Sequence, residues 1–517
     1  MKKLKLVCVA IAMACATPTL AGGLLTNTNQ HVAFNRMMSR EASIGIDGVY
    51  YNPAGVVFMG EGHHLAINWQ LAFQTRTINN DYALFTNNVN NPITPRDFKG
   101  TAFAPVIPSF QYAYNKGKWS FQANFALTGG GGKCTFDDGL GSFEKIVAET
   151  AIAACQLAGA VDQVAGAYNV PAIFSSNQCF GTEGKYSYNS YMHGRQYYYG
   201  LSAGAAYKFC DNFSAFLGVR GVYALTNYYG YVENIQVGQM PLYKVLNPAK
   251  ESSANIELSC DQSGVGFTPI IGVDYKTGRW NFSAKYEFKT RIRLKNKSVN
   301  QIPSIGNLPD NLRNAYIANG VPEAAADAIL SNPKIQGAMV ALKTQFDSKI
   351  DGAIGEYGDG KKIAGDIPAY LALGVGYSPV DAVRVNVGFH WFDDKNATSY
   401  NNRNKELKRG TLEYNAGVEV DVNKKITLST GWQNTNYGLS DEYMDDKSFV
   451  VSSNSVAIGG VYHINKKMDL NVAYFHTFYQ HKKTSEKVQL TAEKSINYSS
   501  DYTRNNNVFA VGLDINF

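Results

Sequence analysis

The chain has 517 residues and a formal charge of +6, with only 17% charged residues against 33 tyrosines, 27 phenylalanines and 48 glycines. Lys2, Lys3 and Lys5 account for three of the charges, so the remaining balance is too weak to argue for a nucleic-acid or anionic-surface binder. No later stretch approaches the roughly 18 consecutive apolar residues of a membrane-spanning helix, which excludes helical spans.

The three lysines precede an apolar run from Leu6 to Ala16, and Thr19-Leu20-Ala21 followed by Gly22 reads as a small-residue cleavage site. Residues 1–21 are therefore expected to be a secretory signal peptide. Residues 22–61 follow; they are too few for a domain and have no strand alternation, and their middle reads Ile46-Asp47-Gly48-Val49-Tyr50-Tyr51-Asn52-Pro53-Ala54-Gly55. From about residue 62 onward, runs of period two alternate with turns. Tight turns are expected at Asn115-Lys116-Gly117, Cys210-Asp211-Asn212, Lys276-Thr277-Gly278, Pro379-Val380-Asp381, Asn423-Lys424 and Asn465-Lys466. Long polar connections are expected at 77–105, 130–190, 237–262, 297–365, 396–408, 438–447 and 484–503.

Six short turns and seven long loops connect about 14 strands, the pattern of a transmembrane antiparallel up-and-down β-barrel occupying residues 62–517. The tenth strand is the cleanest case, with Leu412, Tyr414, Ala416, Val418 and Val420 on one face and Glu413, Asn415, Gly417, Glu419 and Asp421 on the other. Helix-spaced apolar residues appear inside the two largest loops, at Phe143 to Tyr168, Ala324 to Leu330 and Ala338 to Phe346. They read either as a greasy capture site over the barrel mouth or as a lid. Cys134, Cys155, Cys179 and Cys260 all fall in expected outer loops and could form two bridges, with three possible connectivities. Phe509, Val511, Leu513, Ile515 and Phe517 end the chain as a strand with one oily face, as outer-membrane barrels of Gram-negative bacteria end.

With Asn52-Pro53-Ala54 near the cleaved N-terminus, and with the segments Gly264 to Ile292 and Ile367 to Phe392 reading as paired strands around short turns, the chain resembles the FadL-type family of outer-membrane transporters for long-chain fatty acids and related hydrophobic compounds. The resemblance covers essentially the whole mature chain. It implies a monomeric barrel plugged by an N-terminal hatch at 22–61, made in the outer membrane by the barrel-assembly machinery. It also implies passive uptake of a fatty-acid-like molecule and its lateral release into outer-membrane lipid beside the third strand. By resemblance, Asn52, Pro53 and Ala54 shape the hatch, and Gly22, Gly23 and Leu24 lie near the inner pocket. Glycines relax a ladder and permit bulges, so Gly129, Gly130, Gly131 and Gly132 after strand three are either the lateral gap or a flexible start to the following loop. For a carboxylate ligand, strand seven offers Lys285, Lys289, Arg291 and Arg293 on one face with Glu287 among them. Those charges either bind ligand or pair with Glu413 and Glu419.

No nucleophile motif accompanies strand histidines such as His390 and His476, so no catalytic residue, metal site or cofactor is assigned and an enzyme is not expected. Two other readings are a general porin, which lacks a hatch, and a FadL-like barrel that serves as a secretion shuttle for exported proteins.

Overall fold

The computed structural model describes residues 25–26, 29–337, 339–340, 343, 355–490 and 494–517. Expectations placed on Gly22, Gly23, Leu24 and most of the segment Ala338 to Phe346 lie outside the described residues. Fourteen antiparallel strands close on themselves, because β1 (Gly62–Tyr82) pairs with both β2 (Arg96–Lys116) and the last strand, β14 (Ser495–Asn516). Between them run β3 (Trp119–Phe136), β4 (Tyr186–Cys210), β5 (Phe213–Val237) and β6 (Ile256–Thr277). Then come β7 (Trp280–Glu287, continued by Arg293–Gln301), β8 (Lys362–Ala364, continued by Tyr370–Val380) and β9 (Val383–Phe392). The circuit ends with β10 (Arg409–Asn423), β11 (Ile426–Gly438), β12 (Ser453–Asn465) and β13 (Met468–Tyr479, continued by Lys482–Gln489). A two-residue strand, Met240–Pro241, pairs with the end of β5 outside this circuit.

All six expected tight turns are hairpins at one end of the barrel, and the long loops gather at the other. Several loops are shorter than the turn signals suggest, because strands of up to 25 residues, such as β4, continue past the roughly ten needed to cross a bilayer. Alternation sorts the side chains as period two requires. On β6, Val265, Phe267, Ile271, Val273 and Tyr275 are exposed outward, whereas Gln262, Thr268 and Asp274 are buried inward. Glu413, Asn415 and Glu419 of β10 are likewise buried in the lumen while Tyr414 and Val420 face out. At the closing seam, Phe517 stacks on His63 with ring centroids 5.4 Å apart.

The outer end is capped. Helix α3 (Gly141–Gly166) has 26 residues, a length of roughly 39 Å at 1.5 Å per residue. Its apolar residues Val147, Ala151, Ala158 and Val161 share one core with Phe85, Phe98 and Phe174, and with α5 (Leu308–Ala318) and α6 (Glu323–Leu330), which follow the short α4 (Tyr243–Leu246). The loop helices thus spend their apolar faces on one another as a lid. Buried carboxylates fasten the lid: Glu144 accepts from Asn88, Arg96, Tyr186 and Tyr188, and Asp446 accepts from the Ser142 amide at 2.8 Å. Cys134, Cys155, Cys179 and Cys260 are buried thiols without bridges; Cys260 packs with Tyr228 and Tyr357, apart from the core that holds the other three.

Within the lid, burial raises the Glu356 carboxyl from about 4.5 to about 10, and neither of its oxygens has a hydrogen-bond partner among the described residues. The folded state therefore holds a proton that the unfolded chain gives up near pH 4.5, so this group lowers stability progressively as pH rises from 4.5 toward 10. Glu356→Gln is expected to raise the melting temperature at pH 8 and to change it little at pH 4, as followed by loss of the compact barrel band on heating.

Candidate functional site

Residues 29–59 lie inside the barrel, buried or half-buried, as two short helices, α1 (Val32–Met37) and α2 (Gly48–Tyr51), joined by irregular chain, and the exposed Gly60 and Glu61 lead into β1. Irregular backbone lacks the partners that a ladder supplies, and inside a barrel those groups must find others. Wall side chains provide them. The Gln30 carbonyl accepts from Ser109 at 2.7 Å and Gln111 at 2.9 Å, that of Ala42 from Asn281 at 2.8 Å, and that of Val56 from Asn115 at 2.8 Å. Asn52-Pro53-Ala54 is the densest instance. Asn52 Nδ2 donates to Asp274 at 2.6 Å while its Oδ1 accepts the Gly55 amide, the Pro53 carbonyl accepts from Gln122 at 2.7 Å, and the Ala54 carbonyl accepts from Ser214 at 2.7 Å. The tripeptide is thus tied to β3, β5 and β6.

Ion pairs hold the other side of the plug. Arg36 Nη1 is 2.5 Å from Glu419, and Arg40 bridges Glu419 at 2.9 Å and Asp47 at 2.7 Å. Glu41 meets His390 Nε2 at 2.7 Å, and Nδ1 of the same ring meets Glu413 at 2.9 Å. The Arg40 guanidinium keeps the buried Asp47 carboxyl below the usual carboxylate range. Wall glycines make the room: a Cβ on Gly431 would stand 1.5 Å from the Met37 carbonyl oxygen, and one on Gly417 would stand 2.2 Å from it. Neither the glycines nor Arg36, Arg40 and Glu41 carry a motif that marks them in the sequence. The acidic positions of β10 were visible, but not what they were there to meet.

Strand seven departs from its expected alternation. Lys285 and Glu287 do face the lumen, where Lys285 Nζ lies 2.7 Å from the Tyr50 carbonyl and 3.0 Å from Glu287, and Glu287 also pairs with Arg220. The strand leaves the ladder after Glu287, and the inward positions become Thr290, Ile292 and Leu294. A one-residue slip flips every later side chain, so Arg291 and Arg293 turn outward. Lys289 and Arg293 lie 4.0 Å and 2.9 Å from Asp366. The four cations therefore form no single cluster, and Glu287 holds the inward one in place of Glu413 and Glu419.

The hatch divides the lumen. At the short-turn end lies an open vestibule of about 1550 Å³, lined by Arg36, Arg40 and Asp47 together with turn residues such as Lys276 and Lys424. On the other side lies a smaller cavity of about 300 Å³, lined by Phe103, Leu127, Tyr437, Phe475 and Val508 with Arg76 and Arg504. That cavity reaches a breach in the wall. Strands β2 and β3 pair at Ala102↔Cys134 and again at Ser109↔Ala126, with no pairing between. Pro105 and Pro108 in that stretch have no N–H to give. Gly130 at φ +100 and Gly132 at φ +70 hold conformations that side chains disfavour, and a Cβ on Gly130 would meet the Gln196 carbonyl oxygen at 2.4 Å. Gly129, Gly130, Gly131 and Gly132 lie in the stretch of β3 that is unpaired with β2, where Phe103 and Val106 are exposed outward.

Similar proteins among solved structures share this architecture. A Pseudomonas aeruginosa FadL homologue matches with a TM-score of 0.60 and 14% identity, over 96% of this chain and 100% of that one. The P. putida toluene transporter TodX matches with a TM-score of 0.50 and 12% identity, over 92% and 94% of the two chains. No known family profile and no curated protein sequence matches. At these identities the likeness is one of fold, that of FadL-type and TodX-type barrels with the N-terminal segment inside.

Two substitutions test the fastening of the plug. Glu419→Gln leaves Arg36 without a carboxylate and is expected to cost about 3–5 kcal/mol in hatch anchoring, read as protease access to residues 29–61 and as raised conductance across planar bilayers. Gly431→Val drives a side chain into the Met37 backbone and is expected to cost about 1–3 kcal/mol, read as a lower temperature for loss of the compact barrel band.

Proposed function

We propose that this chain is a FadL-type outer-membrane channel for passive uptake of hydrophobic small molecules, fatty-acid-like ones among them, with release sideways into the bilayer. The observation that carries the reading is the breach between β2 and β3, which joins the inner cavity to the lipid-facing surface while the hatch blocks the axial route. An oily chain gains roughly 0.8 kcal/mol per CH₂ on leaving water, so the bilayer is a better destination than the aqueous vestibule. Transfer down that gradient needs no cofactor and no covalent step. The toluene transporter among the fold neighbours supports a hydrophobic cargo. A general porin would not need a lumen closed by a bonded plug, and a protein shuttle would not need a cavity of ligand size. The reading includes a monomeric barrel in outer-membrane lipid, built there by the barrel-assembly machinery.

A cross-link tests the exit. The Cβ of Ala104 lies 4.0 Å from the position a Cβ would take on Gly132 across the breach, within the span of a disulfide. Ala104→Cys with Gly132→Cys, in a Cys134→Ser background, is expected to abolish accumulation of a fluorescent fatty acid in proteoliposomes under oxidation and to restore it on reduction. Undiminished accumulation by the oxidised double variant would rule out lateral exit through this breach.

A further inference from the structure

Arg76 of β1 and Arg504 of β14 are direct partners across the seam that closes the barrel. Like charges placed opposite each other in a ladder destabilise it, and both side chains lie on the inward face and line the inner cavity. The fully buried lumen guanidinium groups have carboxylates: Arg36 and Arg40 share Glu419, and Arg220 has Glu287, whereas Arg76 and Arg504 are half-buried. Among the described residues no carboxylate lies within ion-pair distance of Arg76 or Arg504. Their common neighbour is neutral: Gln74 Oε1 accepts from Arg76 Nε at 3.1 Å and from Arg504 Nη2 at 2.8 Å. Among the described residues Arg504 otherwise reaches the Phe449 carbonyl at 3.5 Å and the face of Tyr479 at 5.1 Å, and its buried Nε has no partner there. Lys133 and Lys447, the latter paired with Asp445, bring the cations of the lining to four, and no Asp or Glu appears among the described lining residues.

Two guanidinium groups held side by side without a counter-charge present a fork that an oxyanion fits. We propose that Arg76 and Arg504 form an oxyanion site that selects anionic single-chain amphiphiles over neutral hydrocarbons. The headgroup sits on the arginine pair, and the hydrocarbon chain lies along Phe475, Val508 and Leu127 toward the breach. This assignment rests on the inner cavity being the ligand chamber, and it moves the anion contact from strand seven to the closing seam. The pair is left without a carboxylate because the cargo brings one.

Equilibrium binding to the full-length barrel in lipid nanodiscs, corrected against empty discs, tests the site with radiolabelled dodecanoate and 1-dodecanol. Arg504→Gln and Arg76→Gln are expected to weaken dodecanoate roughly ten- to a hundred-fold and to leave dodecanol unchanged. Ligand-free Arg504→Gln is also expected to melt at a higher temperature than wild type, because the repulsion across the seam is gone; a purely structural arginine would shift it the other way. Dodecyl phosphate, as a third probe, separates the two sources of oxyanion: tighter binding than dodecanoate assigns a lipid headgroup, weaker binding a fatty acid. Dodecanoate affinity indifferent to both substitutions, with dodecanol still bound, overturns the anion site and spares the chamber. Wild type that binds neither ligand overturns both.

Discussion

The structure depends on one constraint: backbone polar groups at membrane depth have no water to turn to, so a plug without regular structure must be satisfied by the wall around it. That explains why the lumen is lined with Ser, Asn and Gln at the places where hatch carbonyls arrive, from Ser109 and Gln111 beneath Gln30 to Ser214 beneath Ala54. It also explains why the inward charges of the hatch-bearing region pair across the hatch boundary, as Arg36 and Arg40 do with Glu419 and Glu41 does with His390. Breaking such a pair leaves a buried charge, which is why the plug behaves as part of the barrel and not as a cork resting in it.

Steric complementarity follows from the same demand. A plug with backbone close to the wall needs wall positions with no side chain, and glycines on β10 and β11 stand under the Met37 carbonyl. Where β2 and β3 part, the logic reverses. Prolines on one strand and glycines at positive φ on the other withhold ladder bonds over a short stretch, so the wall is unpaired there while the hatch fills the axis. A second irregularity, in β7 after Glu287, opens nothing, because Gly264 and Gly266 of β6 let Ile292 and Thr290 pack directly against that strand. A broken ladder becomes an opening only where no side chain fills it.

The lid changes how the outer surface is understood. Helix spacing in the long loops was evident, and two of those helices are present as α3 and α6, but their apolar faces meet each other and the outer ends of the strands. Spacing reveals that a face is apolar; it does not say what covers it.

Strand number, the side of each turn and the orientation of most side chains were determined by the sequence itself, because alternation with period two and turn chemistry are local properties of a chain. Asn52-Pro53-Ala54 was marked for a segment inside the barrel by resemblance alone, not by any local property of the chain. Only the tertiary structure decided which charges meet. The slip in β7 that sends Arg291 and Arg293 outward leaves no mark in the residue pattern, since one unpaired residue inverts every face after it. Arg76 and Arg504 are more than four hundred positions apart in the chain and face each other only because the first strand closes on the last, and the register of that closure is a global property of the barrel.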